Sequence, residues 1–286
     1  MSHILEDLSP EAVIDAMADN MCAYLRSLSE GAISPHLTFH DDGDIQWYIS
    51  DVPFPLLNVV MCAKLEAGSE DRRIDEVLGE YKAAGMPMLW WTGPASRPSD
   101  IGSRLMARGL VNAGAPPGMA VDLTRLDASE EPPPGVTIQR VDRDAALDDY
   151  GHILQQAFEL PDLVVGIFVD VLKTRGYDEA GPAQNYLAYL EGTPVAACTV
   201  GYEAGVAGIY NVGTLERARG RGIGRAITLR SLLDARERGY KVGVLEASGM
   251  GHNVYRQLGF EDYCQMELYL HMPGDGQQPA LAEVAG

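Results

Sequence analysis

Gly208-Ile-Tyr-Asn-Val-Gly-Thr-Leu215, Arg219-Gly-Arg-Gly-Ile-Gly-Arg225, a helical segment to Arg238, Lys241-Val-Gly-Val-Leu-Glu-Ala247 and Tyr255-Arg-Gln-Leu-Gly-Phe260 follow one another along the chain. In order they read strand, glycine-rich turn, helix, strand, short helix. Ile209, Tyr210 and Val212 favour an extended backbone. Gly220, Gly222 and Gly224 let the main chain come close to a ligand and allow its amides to converge on one point. The helix that follows aims its positive end at that point, with Arg219, Arg221 and Arg225 around it. This combination suits a phosphorylated ligand.

Working outward, the remaining stretches arrange themselves around that run. Residues 9–28 predict an amphipathic helix: Ser9 is placed to cap it, Pro10 opens it, and Val13, Ile14, Met17, Met21, Tyr24, Leu25 and Leu28 recur at helical spacing. Its other face is acidic, which makes it a core-packing helix rather than a membrane or partner helix. Strands are predicted at 44–50, 56–65, 86–92 and 119–126, with helices at 70–84, closed by Gly85, and at 100–110. Trp90 and Trp91 read as core and sheet packing, with a substrate platform the lesser alternative.

Asp127-Ala-Ser-Glu-Glu-Pro-Pro-Pro-Gly135 is a stiff, polar linker. Beyond it come a strand at 136–141, helices at 142–158 and 162–175 broken by Pro161, and a hairpin of 185–190 with 194–202 around Glu191-Gly-Thr193. Residues after Met272, rich in Gly, Pro and Gln, are expected to form a mobile tail. The order strand, helix, strand, helix, strand occurs in both halves at an offset of about 150 residues, an internal repeat. Leu105-Met-Ala-Arg-Gly-Leu110 falls where Tyr255-Arg-Gln-Leu-Gly-Phe260 falls in the second copy. The arginine–glycine turn has Glu66-Ala-Gly-Ser-Glu-Asp71 as its counterpart, which repels a pyrophosphate, and Tyr255 has Leu105, which donates no proton.

The totals agree with a globular protein of one or two domains: 286 residues, 46% of them hydrophobic. With 22 Lys+Arg against 41 Asp+Glu, the formal charge of −19 repels nucleic-acid phosphates and anionic membranes and favours cationic ligands. The three arginines of the turn are a local exception, as an anionic ligand requires. Cys22, Cys62, Cys198 and Cys264 lack any C-x-x-C spacing and are expected to be buried reduced thiols, with no metal site. Glu6 and Asp7 stand where a signal peptide would be basic, and no apolar run is long enough to span a membrane, so a cytoplasmic protein is expected.

Arg219-x-x-Gly222-x-Gly224 after a strand, with Tyr255-x-x-Leu258-Gly259-Phe260 about thirty residues later, resembles the acetyl-CoA site of the GNAT N-acetyltransferases. The resemblance implies an α/β (α+β) chain of two tandem GNAT-like folds, each a mixed, mostly antiparallel sheet flanked by helices. The fourth and fifth strands of the second copy would splay apart. It implies a degenerate, structural copy at 1–126, a linker at 127–135, a catalytic acetyltransferase domain at 136–272 and a tail at 273–286. In the family's manner, Val212, Gly213 and Thr214 would bond the pantetheine arm of acetyl-CoA. Arg219, Gly220, Arg221, Gly222, Ile223, Gly224 and Arg225 would hold its pyrophosphate. Tyr255 would protonate the departing thiolate.

Many family members have Asn seven residues before this tyrosine, where this chain has Ser248. The general base stays open between Glu246, Glu203 and a water chain, while His252 reads as a surface helix residue. A backbone amide at Val212 would serve as oxyanion donor. The expected partner is a small-molecule amine acceptor, with no nucleic acid and no membrane, and a homodimer allowed. A protein or peptide amine, or a non-catalytic acyl-CoA sensor, is the alternative.

Overall fold

The computed structural model describes residues 4–29 and 36–274. The Ala12 amide donates to Ser9 Oγ at 3.4 Å where helix α1 (Pro10–Ser29) begins, and Val13, Met17, Met21 and Tyr24 form its buried face. The first half continues through strands β1 (Leu37–Asp41), β2 (Gln46–Ser50) and β3 (Val59–Met61), helix α2 (Glu70–Ala84), strand β4 (Met88–Thr92), helix α3 (Ile101–Met106) and strands β5 (Val111–Gly114) and β6 (Pro117–Asp122). Gly85 closes α2 at φ 65°, as its sequence predicts.

The second half runs β7 (Val136–Arg140), α4 (Asp144–Phe158), α5 (Asp162–Arg175), β8 (Ala183–Leu190), β9 (Thr193–Glu203) and β10 (Val206–Thr214). After these come α6 (Ile223–Glu237), β11 (Val242–Glu246), α7 (His252–Gln257), β12 (Glu261–Gln265) and β13 (Glu267–His271). Glu191 and Gly192, both at positive φ, make the two-residue turn that joins β8 to β9. The tail expected from residue 273 onward lies, apart from its first two residues, outside the described residues.

These strands form two mixed, mostly antiparallel sheets. One has the order β1-β2-β3-β4-β13-β5 and the other β12-β6-β11-β10-β9-β8-β7. Each contains a parallel pair, β3 with β4 and β10 with β11. The last strand of each half has crossed to the other sheet: β6 lies between β11 and β12, and β13 between β4 and β5. The sheets therefore do not follow the divide at 127–135. Strand 119–126 was expected within the first copy and β12 and β13 were not expected, because nothing local in a five-residue strand tells which sheet it joins.

Helix α1 also crosses over, packing on the second sheet through Asn20, which is fully buried. Asn20 Nδ2 donates to the carbonyls of Gly201 (3.2 Å), Glu203 (2.8 Å) and Val206 (3.2 Å), and its Oδ1 accepts from the Tyr210 hydroxyl at 2.6 Å. A disulfide from Cys22 to Cys62, with Cα atoms 6.1 Å apart, ties the same helix to the residue after β3. This corrects the expectation of four reduced thiols: the partners are 40 residues apart and meet only because α1 folds back between the sheets. Cys198 and Cys264 are free, and burial pushes the Cys198 thiol up to about 12. Trp90 is fully buried in the first core, whereas Trp91 faces the opposite side of its sheet.

Candidate active site

Strands β10 and β11 pair only at Ala207–Gly243 and Gly208–Val244, then separate. On its other side β10 skips register against β9 between Tyr210 and Gly213, with Asn211 held at φ 55°. The bulge turns Asn211 and Val212 out of the ladder at the point where the strands part. The turn beyond β10 needs its glycines, since Gly220 and Gly222 take φ of 74° and 75°, and Gly222 begins α6. A Cβ on Gly224 would come within 3.3 Å of Thr214 Oγ1, and one on Gly213 within 2.9 Å of the Ala157 Cβ. Arg219 Nε donates to the Thr214 carbonyl at 3.1 Å and fixes the turn against the strand.

The gap is a cavity of about 400 Å³. Its walls contain Val212, Gly213, Thr214, Arg219, Gly220, Gly222, Ile223, Gly224, Arg225 and Ser248, the predicted cofactor set but for Arg221, which is exposed and outside the lining. Arg225 forms an ion pair with Glu130, so the linker lies along the edge of the glycine turn. Amides converging at the start of a 15-residue helix, beside Arg219 and Arg225, make a site fit for a pyrophosphate.

Tyr255 lies on the opposite wall, on α7. Ser248 Oγ accepts from the Gly251 amide at 3.2 Å, so this hydroxyl stabilises the start of α7 as well as lining the cavity. The Tyr255 ring meets Phe260 edge-on at 5.8 Å and is 5% exposed. Burial holds its phenol above the ordinary range, so it stays protonated at neutral pH and able to donate.

A second cavity, of about 150 Å³, lies between the two sheets. Tyr24 and Leu25 of α1, Trp91 of β4, Phe158 of α4, Val165 of α5 and Glu246 of β11 all face it. Tyr24 stacks flat on Tyr210, centroids 3.9 Å apart, and its hydroxyl accepts from Asn211 Nδ2 at 2.8 Å. Glu246 is 8% exposed, and burial pushes its carboxyl up to about 7. No side chain among the described residues pairs with it. Phe158 lines both cavities and is their common wall.

The acetyltransferase (GNAT) domain family matches residues 182–262, the stretch from β8 into β12. The second half of this chain carries a GNAT domain. Among solved structures, a GCN5-related N-acetyltransferase from Kribbella flavida is 19% identical at a TM-score of 0.68, covering 90% of this chain and 96% of its own. A GCN5-related N-acetyltransferase from Sphaerobacter thermophilus is 16% identical at 0.63, covering 97% and 99%. A tandem GNAT protein from the clavulanic acid biosynthesis pathway is 15% identical at 0.59, covering 95% and 97%. These likenesses are likenesses of fold, two GNAT-like folds in one chain. No curated protein matches by sequence. The matched domain is an acetyltransferase (GNAT) domain, and the fold around it is that of GNAT proteins.

Within the GNAT domain, Glu246 faces the inter-sheet cavity. Glu203 lies at the far end of the β9–β10 hairpin and lines neither space. His252 bonds Asp262 through Nε2 at 2.8 Å, in keeping with a surface role. Tyr24 and Leu25 were not expected beside this cavity, and Trp91 had a substrate platform only as its lesser alternative. One signal for α1 was present: Asn20 interrupts its apolar stripe, and an amide at a core position needs partners from another element.

Proposed function

We propose that this protein is an acetyl-CoA-dependent N-acetyltransferase that transfers acetyl to the primary amine of a small molecule by direct attack in a ternary complex. Residues 136–272 would supply the chemistry, and 1–126 would shape the acceptor side. The observation that carries the reading is the meeting of two cavities at Phe158: one holds the glycine–arginine turn and Tyr255, the other holds Glu246.

Acetyl-CoA supplies the activated acetyl thioester. The amides of the 220–225 turn, with Arg219 and Arg225, hold the pyrophosphate, each charge-assisted bond worth roughly 1.5–3 kcal/mol. Arg225 exchanges Glu130 for phosphate oxygen as the ligand enters. Val212, Gly213 and Thr214, past the last pairing of β10 with β11, receive the pantetheine arm on that open side as an added strand. Glu246, titrating near 7, takes a proton from the incoming ammonium. The nitrogen lone pair then forms the N–C bond while a main-chain amide of the bulge at Val212 donates to the carbonyl oxygen. As the C–S bond breaks, the Tyr255 hydroxyl gives its proton to sulfur, and the second proton lost by the acylated nitrogen passes to solvent, from which the phenol is reprotonated.

A binding-only sensor has no use for a protonated phenol and a buried carboxylate on two sides of one junction. A free-thiol release assay with acetyl-CoA and a panel of amines tests the reading. Amine-dependent release of CoA is expected; binding of acetyl-CoA without turnover of any amine would leave the sensor.

A further inference from the structure

We propose that the acceptor is a primary monoamine bearing one uncharged, ring-sized apolar group, an arylalkylamine or a branched alkylamine of similar bulk. This rests on the acetyltransferase reading above and specifies its second substrate.

Three features of the inter-sheet cavity lead there. Its size is the first: an apolar space of about 150 Å³ admits a group the size of a benzene ring. The second is the state of its polar groups. The Tyr48 hydroxyl donates to the Leu56 carbonyl at 2.9 Å, the Tyr210 hydroxyl to Asn20 at 2.6 Å, and Asn211 Nδ2 to the Tyr24 hydroxyl at 2.8 Å. The wall hydroxyls are thus engaged with the protein itself. A sugar, a second ammonium or a peptide backbone placed there would leave buried polar groups unmatched.

The third feature is Glu246, the one carboxylate on the cavity wall, with no side-chain partner among the described residues. A single anion in apolar surroundings calls for a single cation. Its place at the end of β11, where β10 turns away, sets that cation beside the junction at Phe158 and leaves Trp91, Leu25 and Val165 for the apolar group. Trp91 and Leu25 come from the first half of the chain, so that half chooses the acceptor although it has no cofactor turn of its own.

The test is CoA release by the full chain, with phenethylamine and 3-methylbutylamine set against spermidine, glucosamine and a glycine-initiated tripeptide. The two apolar amines are expected to exceed the others by at least tenfold in kcat/KM. In Val165→Phe, which fills the cavity, the KM for phenethylamine should rise at least tenfold. Calorimetry with acetyl-CoA should find its affinity within about twofold of wild type, which certifies the fold of the variant. Preference for spermidine, glucosamine or the tripeptide would overturn the substrate class while leaving the acetyltransferase reading in place. Acetyl-CoA binding with no amine turned over would overturn both. Unchanged phenethylamine KM in Val165→Phe, with acetyl-CoA still bound, would remove the cavity as the site.

Discussion

The two halves of this chain start from the same arrangement and end with opposite results at one place, the fork between two parallel strands. In the second half β10 and β11 share two pairings and then part, leaving the 400 Å³ cavity. In the first half β3 and β4 also share two pairings, but the chain beyond them is laced shut. The Leu65 amide donates to the Arg97 carbonyl and the Arg97 amide to the Ala63 carbonyl, so that Lys64 and Arg97 form a parallel bridge. One half lines an open space with its glycine turn, Arg219 and the Glu130-paired Arg225, whereas the other sets its arginines against its own acidic residues. Arg108 holds Asp71 and Asp75, Arg104 holds Asp71 and Asp100, and Leu105 is wholly buried in the core. On the function proposed above, the difference teaches that a GNAT-like fold offers a coenzyme site where the fork stays open beside a glycine turn. The sheet alone does not make the site.

The strongest way to break the contrast is to give the second half the first half's acidity. In Gly222→Glu, a carboxylate enters the turn and a side chain must adopt φ 75°, so acetyl-CoA should bind at least about 100-fold more weakly by calorimetry. Next comes the tyrosine that the first half lacks. Tyr255→Phe should lower kcat by about 100-fold or more while the KM for acetyl-CoA stays within about twofold, since only proton donation is removed.

Glu246→Gln should lower kcat/KM by about 10-fold or more and remove the pH dependence. The wild-type rate should climb with pH to a plateau above about 7, as the carboxyl gives up its proton, whereas the Gln variant should be flat from pH 6 to 8. Stability should move the opposite way. The folded carboxyl binds its proton more tightly than an ordinary glutamate at 4.5, so the wild type loses stability as pH rises from 4.5 through 7. Urea midpoints should therefore show the Gln variant gaining on wild type across that window.

The smallest effect belongs to the closed fork. Arg108→Ala removes half-exposed ion pairs, should cost about 1 kcal/mol or less in urea unfolding, and should leave CoA release unchanged.

How much of this was legible in the chain follows from how local each feature is. The glycine turn, α6, β11 and Tyr255 lie within one continuous stretch, and their spacing alone assembled most of one cavity wall. Arg221 is exposed and absent from the cavity wall, which composition alone does not reveal. The inter-sheet cavity was legible only in part, with Glu246 a candidate base and Trp91 a lesser platform, while its assembly was not. Tyr24, Trp91 and Glu246 come from three distant segments, brought together by α1 folding onto the second sheet and by the mutual crossing of β6 and β13. The Cys22–Cys62 disulfide stayed hidden for the same reason. Short strands such as β1 and β5 present too few residues for an alternating pattern to stand out.

The central claim, that one fork binds coenzyme and the other is closed, is tested most directly by the stoichiometry of acetyl-CoA binding in calorimetry. The expected result is one molecule per chain for the wild type and no measurable heat for Gly222→Glu at the same concentrations. Two molecules per chain, none at all, or undiminished binding by the variant would contradict it.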